Sequence, residues 1–136
     1  MKPLVSVIIT AYNRCAMVEE AIESVLKQDF LDYEIIVVDD GSSDKTAEEA
    51  KLGQGKVIQH PHNVGYGRSL KNGIDVAKYD TIVIIDADGT YPAEEMPALL
   101  SEFRKGFNMV IGARQGKYLD ESLKKKNVAN YPKKIG

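Results

Sequence analysis

Cysteine, net charge and long apolar runs are what this sequence is short of. Its one cysteine, Cys15, allows no internal disulfide, and a reducing compartment is the natural expectation. No apolar stretch approaches the roughly 18 residues of a membrane span. The opening MKPLVSVII has too short an apolar run for a secretory signal and is expected to be a first strand. The formal net charge is -2, so nothing at whole-chain level points to nucleic acid. Neither a Walker loop nor a G-x-G-x-x-G after the first strand is present, which argues against NAD. What is there is an ordinary globular composition: 136 residues, 43% hydrophobic and 28% charged, enough for one domain with a real core. The charge is uneven. Residues 1–111 carry 11 Lys/Arg against 18 Asp/Glu, and residues 112–136 carry 7 against 2. The expected organisation is therefore an α/β domain over 1–111 and a basic polar tail over 112–136.

Two periods alternate along the chain. VSVII (Val5 to Ile9), YEIIVV (Tyr33 to Val38), KVIQ (Lys56 to Gln59), TIVII (Thr81 to Ile85) and NMVI (Asn108 to Ile111) read as strands. Between them, Val18, Ala21, Ile22, Val25 and Leu26 recur at helical spacing. KTAEEAKL makes a short helix that Ser43 or Asp44 can cap and Gly53 stops. Leu70, Ile74 and Ala77 mark a helix over about 67–78. Pro97 suits the first turn of a helix with an apolar face of Leu99, Leu100 and Phe103, ended by Gly106. Strand alternating with helix predicts a Rossmann-like, mostly parallel sheet with helices on both faces. A strand order of 3-2-1-4 would put the switch point between the first and fourth strands, where such sheets bind ligands beyond the carboxyl ends of their strands.

The segments that leave the strands differ in kind from those that enter them. TAYNR, DDGSSD, HPHNVGYGR and DADGTYP bring carboxylates, Tyr12, arginines and glycines to one edge, while the opposite edge offers QDFLD, GQG and KYD, ordinary polar turns. In extended backbone Asp86 and Asp88 point the same way, and two hard carboxylates can share Mg²⁺ or Mn²⁺; the bland alternative is an acidic turn closed by Gly89. Asp39 and Asp40 can accept hydrogen bonds from a nucleobase or ribose, or simply shape a turn. Tyr12 can stack on a base or only pack, and Arg14 can meet a diphosphate. Gly65, Gly67 and Arg68 precede or open a helix whose N-terminus suits an anion. His60 and His62, which flank Pro61, read by default as loop histidines, with metal binding the lesser reading. Cys15 reads as packing, and Lys124 to Lys126 as a solvated helix face with phosphate or membrane contact the lesser reading.

Taken in order, VSVIITAYNR, SVLKQ, YEIIVVDDGSSDKT, NVGYGRSLKNG, IVIIDADGTYP and VIGAR resemble the family 2 glycosyltransferases, which have the GT-A fold. The DADGTYP version is most similar to the branch that includes dolichyl- and polyprenyl-phosphate sugar transferases. The resemblance implies a nucleotide-diphosphate-sugar donor with a UDP or GDP carrier, Mg²⁺ or Mn²⁺, and a polyprenyl phosphate or growing glycan as acceptor, at the cytoplasmic face of a membrane with peripheral contact. It matches Thr10, Tyr12 and Arg14 to the first nucleotide-binding segment, Asp40 with Asp39 beside it to the base-recognising aspartate, Gly65, Gly67 and Arg68 to the segment near the donor, and Asp86 and Asp88 to the DxD pair that holds ribose, metal and diphosphate. It further implies inverting transfer with a carboxylate general base. Neither Asp120 nor Glu121 sits in a matching motif, so that base is expected beyond Gly136, in an acceptor-binding half to which residues 112–136 lead. A non-catalytic nucleotide-sugar-binding module or an inactive remnant is the alternative. A receiver-type signalling domain would need a lysine directly after the fifth strand, where GARQGK offers Arg114 first.

Overall fold

The computed structural model describes residues 5–29, 32–87 and 93–113. The chain divides into two compact units, Met1–Ala93 and Glu94–Gly136. In the first, strands β1 (Val5–Ala11), β2 (Tyr33–Asp39), β3 (Lys56–Gln59) and β4 (Thr81–Asp86) form one sheet of order β3-β2-β1-β4. Every pairing is parallel. This is the order expected from the sequence. β1 is central and buried along its whole length, which its β-branched residues suit. β4 has only one described neighbour, and Thr81 to Ile84 are half-buried.

Successive residues of a strand face opposite sides, and the core divides accordingly. On one face Ile8, Ile36 and Val38 form a buried cluster, against which Ile58, Leu70, Val76, Ala77 and Ile82 pack. Helix α3 (Tyr66–Val76) supplies part of this cover. Val7, Ile9 and Val37 have the other parity and are equally buried. The helices α1 (Cys15–Leu26) and α2 (Thr46–Leu52), which pack on each other, touch β1 and β2. α1 buries Val18, Ile22 and Val25, the i, i+4, i+7 stripe, while Leu26 in its last turn is exposed.

Of the residues that mark this helix in the sequence, Leu70 and Ala77 pack on that cluster, but the most buried positions of α3 are others. Ser69 and Gly73 are its buried residues, and Ile74 is 41% exposed. The reason is close approach: a Cβ on Gly73 would lie 2.7 Å from Ile8 Cγ2 and 3.2 Å from Val38 Cγ2. A helix that meets a sheet this tightly does so through small residues, and its larger apolar ones are pushed to the flanks.

The second unit is described over residues 94–113. A 3-10 turn at Ala93–Glu95 enters α4 (Met96–Phe103), with Pro97 in its first turn and Met96 and Leu100 buried. Gly106 comes after it at φ +105, in the left-handed region glycine favours. The strand expected at Asn108–Ile111 is absent: residues 107–113 form no strand, and Met109 and Ile111 are exposed. A four-residue apolar run is the weakest of strand signals, and it becomes a strand only where a neighbour takes up its N–H and C=O groups.

Candidate functional site

Parallel pairing brings the carboxyl ends of all four strands to one edge, and the register makes them level. Ala11 pairs with Asp39, Asp39 with Gln59, and Thr10 with Asp86. The segments that leave this edge surround a cavity of about 270 Å³. Thr10, Tyr12 and Arg14 line it from the end of β1, Asp40 from β2, Gly65 from the start of α3, and Asp86 from β4. Strands β1 and β4 are tied at its floor. The Thr10 hydroxyl donates to Asp86 Oδ1 at 3.1 Å, and the Ala87 N–H donates to the Thr10 carbonyl at 3.2 Å.

The turn after β1 is held by the turn after β2. Asn13 sits at φ +49, a left-handed conformation that asparagine tolerates. Its N–H donates to Ser42 Oγ at 2.8 Å, and its Oδ1 accepts the Ser43 N–H at 2.9 Å. The Arg14 N–H donates to Thr46 Oγ1 at 2.9 Å. Asp44 in turn accepts the Thr46 hydroxyl and the Thr46 N–H, an i to i+2 turn just ahead of α2, whose N-cap is Lys45 and not the expected Ser43 or Asp44. The Thr46 hydroxyl, with help from the Thr46 N–H, outweighs the opposing effect of burial and sets the Asp44 carboxyl below its ordinary range. This lattice fixes the backbone of residues 12–14 and leaves the Tyr12 ring, 48% exposed, at the cavity mouth. Cys15 opens α1 beside it. Burial first, then the carboxylates Glu49, Asp44 and Glu19, push its thiol up, so it stays protonated at neutral pH.

Asp39 and Asp40 are adjacent but unlike. Asp39 is fully buried outside the cavity lining. Its Oδ1 accepts the Ser42 N–H at 3.2 Å and the Ser42 hydroxyl, and its Oδ2 has no hydrogen-bond partner among the described residues. Asp40 lines the cavity and anchors the 60–65 loop. Its Oδ1 lies 2.9 Å from His60 Nδ1 and accepts the Val64 N–H at 2.9 Å; its Oδ2 accepts the Gly65 N–H at 3.0 Å. Burial alone would raise the Asp40 carboxyl, but the Val64, His60 and Gly65 hydrogen bonds outweigh it and hold the group below the usual carboxylate range. The Ser69 hydroxyl lies near enough to add to that pull without hydrogen-bonding geometry. Gly41 makes this arrangement possible. It has φ +77, and a Cβ there would sit 2.3 Å from the carbonyl carbon of His62.

The other residues expected at the site are more scattered. Gly65, at φ +98, is the N-cap of α3. Gly67 and Arg68 lie in the first turn of α3, exposed and outside the lining. Asp88 lies outside the described residues. Several residues around the cavity carry no functional signal in the sequence: Asn63, Tyr66 and Ser69 in the lining, and His60 and Asn72 behind it. The two-glycine stretch before a helix points to the right segment, but nothing in it distinguishes these side chains.

Among the described residues no three of His, Cys, Asp and Glu cluster as a ready-made metal centre. Mg²⁺ and Mn²⁺ at a diphosphate need less, since one or two carboxylates suffice with phosphate and water oxygens. Asp86 is a hard oxygen donor in the cavity wall, with a second carboxylate two positions on in the sequence, and this donor chemistry fits such an ion.

The parallel 3-2-1-4 sheet with its polar groups at the carboxyl edge defines a GT-A domain. The structure matches the mannosyltransferase PcManGT from Pyrobaculum calidifontis, solved in complex with GDP-Man and Mn²⁺, with a TM-score of 0.64 and 26% identity over 72% of this chain and 31% of that one. Residues 6–135 match glycosyl transferase family 2, and the chain belongs to that family. It is 35% identical to an undecaprenyl-phosphate 4-deoxy-4-formamido-L-arabinose transferase of Pseudomonas fluorescens, over 96% of this chain and 39% of the relative. It is 37% identical to a dolichol-phosphate mannosyltransferase of Pyrococcus furiosus, over 81% of this chain and 33% of the relative. The chain thus spans well under half the length of these two relatives.

Proposed function

We infer that the cavity binds the nucleotide-diphosphate part of a UDP- or GDP-sugar and that the chain is the donor-binding portion of a metal-dependent, inverting glycosyltransferase. The observation that carries this reading is the convergence of Tyr12, Arg14, Asp40 and Asp86, from three different strand ends, on one cavity. An aromatic ring, a carboxylate, a cation and a second carboxylate are the groups that a base, its polar edge, a diphosphate and a metal-bound phosphate require. Tyr12 offers its exposed ring to a base. Asp40 accepts from the base edge. Arg14, whose backbone is fixed and whose guanidinium is exposed, reaches the diphosphate. Asp86, oriented by the Thr10 hydroxyl, holds Mg²⁺ or Mn²⁺ together with Asp88. Gly67 and Arg68 bear on the donor from the exposed first turn of α3, and Asp39 supports the β2 turn from behind.

When bound, the divalent ion supplies Lewis-acid neutralisation of the departing diphosphate. Transfer itself is attack of an acceptor oxygen on the anomeric carbon as the bond to the diphosphate breaks, with a carboxylate base taking the proton. The matched segment is two fifths or less of each relative, so acceptor binding and the general base are assigned to the part of the family that this segment does not represent. A polyprenyl phosphate is the favoured acceptor, in keeping with the names of both relatives. The basic composition of residues 112–136, 7 Lys/Arg against 2 Asp/Glu, suits peripheral contact with an anionic cytoplasmic membrane face. No helix among the described residues is long and apolar enough to cross a membrane.

The reading is tested by calorimetry of UDP and GDP with and without Mn²⁺. At least one nucleotide should bind in a Mn²⁺-dependent way, and Asp86→Asn and Asp88→Asn should each remove that dependence while leaving the thermal transition in place. Unchanged Mn²⁺-dependent binding in both variants would sink the assignment. Correct orientation of reactants is worth roughly 7–11 kcal/mol. Sugar transfer by the 136 residues alone is therefore expected to be far slower than by a full-length relative in a radiolabelled-donor assay.

A further inference from the structure

An ionised carboxylate accepts about four hydrogen bonds, two at each oxygen. At Asp40 three of these places are filled by the protein. His60 and Val64 occupy Oδ1 and Gly65 occupies one side of Oδ2. The His60 bond is itself fixed from behind. Its Nδ1–H donates to Asp40, so its Nε2 accepts, and Asn72 Nδ2 lies 2.9 Å from it. Asp40, His60 and Asn72 therefore form one chain, with Asp40 and His60 both buried. Among the described residues one acceptor place is left, on Oδ2, in a residue that lines the cavity. Beside it is the Ser69 hydroxyl, 1% exposed as a residue, lining the same cavity and without a hydrogen-bond partner among the described residues. A buried hydroxyl left this way needs a partner, which a water, an ion or a ligand group can supply.

We propose that this chain makes the pocket selective for a pyrimidine imide, the edge of uracil or thymine, over guanine, with His60 as a positioning residue that sets the choice. The proposal rests on the nucleotide reading above. An imide presents one N–H between two carbonyls: the N–H meets the free place on Asp40 Oδ2, and a carbonyl accepts from Ser69. Guanine presents two adjacent donors, N1–H and the N2 amino group, which a carboxylate receives best with one oxygen each. Here Oδ1 is already full, so the amino group finds no acceptor on Asp40. A site built for one hydrogen-bond pattern rejects the other through the group left unpaired.

The test is calorimetry of the whole chain with Mn²⁺ and UDP, dTDP, GDP and N3-methyl-UDP. The tighter of UDP and dTDP should exceed GDP by about tenfold or more, the scale of one hydrogen bond to a charged group. N3-methyl-UDP, which lacks the donor, should fall below UDP by a similar factor. His60→Leu frees Oδ1 and should bring GDP towards parity, whereas His60→Gln keeps an amide donor for Asp40 and should retain the preference. GDP binding as tightly as UDP and dTDP, or N3-methyl-UDP binding as well as UDP, overturns the proposal while leaving the nucleotide reading intact. Failure of every nucleotide to bind overturns both. If His60→Leu does not fold, the native ratio and the methylated probe still decide.

Discussion

The two edges of the sheet are built from the same strands and do opposite jobs. At the amino edge, the Ser6 hydroxyl donates to Glu34 Oε1 at 2.5 Å, and the same oxygen accepts the Lys78 N–H at 2.7 Å. One carboxylate there ties β1, β2 and the exit of α3, and none of these residues lines the cavity. At the carboxyl edge, Asp39, Asp40 and Asp44 are each committed to the protein as well. Yet they hold backbone around an opening instead of closing it, and Asp40 and Asp86 still face that opening. The number of hydrogen bonds does not distinguish a binding edge from a structural one. What distinguishes them is whether polar groups that line an opening are left over among the described residues, as on Asp40 Oδ2 and Ser69 Oγ.

That contrast can be broken most severely at Gly41. Gly41→Val combines a positive φ with overlap on the His62 backbone. It is expected to cost about 3 kcal/mol or more, read as a shifted urea midpoint, and to remove nucleotide binding. Next in size is Asp40→Asn, which keeps the shape but removes the charge and sets an amide NH2 against the donors at one of the two oxygens. A loss of roughly 2 kcal/mol at pH 7 is expected, with nucleotide affinity falling as well.

The same variant sharpens the comparison in acid. Hydrogen bonds depress the folded-state pKa of Asp40 despite its burial. Its stabilisation is therefore complete above the ordinary carboxylate range, near about 4, and is lost as pH falls through the depressed folded value. Asp44 shifts in the same direction. Urea midpoints measured from pH 7 down to pH 3 should fall below about pH 4 in the native chain and fall less steeply in Asp40→Asn. Equal slopes would show that the acid sensitivity lies elsewhere. The smallest effect belongs to the amino edge: Ser6→Ala should cost about 1 kcal/mol, since Glu34 keeps the Lys78 N–H, and should leave nucleotide affinity unchanged. A matching loss of affinity would mean that the two edges are coupled.

The parallel strands and the polar edge are legible in the sequence because both arise from local pattern, and the strand order follows once crossover rules prune the topologies. Short β-branched runs mark parallel strands, and parallel strands send their carboxyl ends the same way. The closest approach of α3 to the sheet is not legible, since Ser69 and Gly73 carry no apolar signal and Gly73 matters only through the closeness of Ile8, although Leu70 and Ala77 do pack on the core. His60 reads as a loop histidine because its partners, Asp40 and Asn72, lie 20 and 12 residues away in sequence, with no period that links them. The strand expected at 108–111 fails for the converse reason, an apolar run judged without knowledge of a neighbour. Thr10, Tyr12, Arg14, Asp40, Gly65 and Asp86 meet at one cavity because each ends a strand, or leads into the next helix, at the same edge.

The position of β1 between β2 and β4 also orders events in time. Its bond to β2 at Ser6 and Glu34 closes a separation of 28 residues, and its bond to β4 at Thr10 and Asp86 closes one of 76. The longer closure costs roughly 0.9 kcal/mol more in chain entropy by the logarithmic law, and on the ribosome β4 emerges last. The β1–β2 ladder is therefore expected to gain amide protection first in pulsed hydrogen exchange during refolding, with β4 joining later; simultaneous protection would refute this order. Until β4 docks, Asp86 is not beside Thr10, and a nascent chain carries Tyr12 and Asp40 in place with no floor beneath the ligand. The capacity to hold a ligand is then the last property that the first unit acquires.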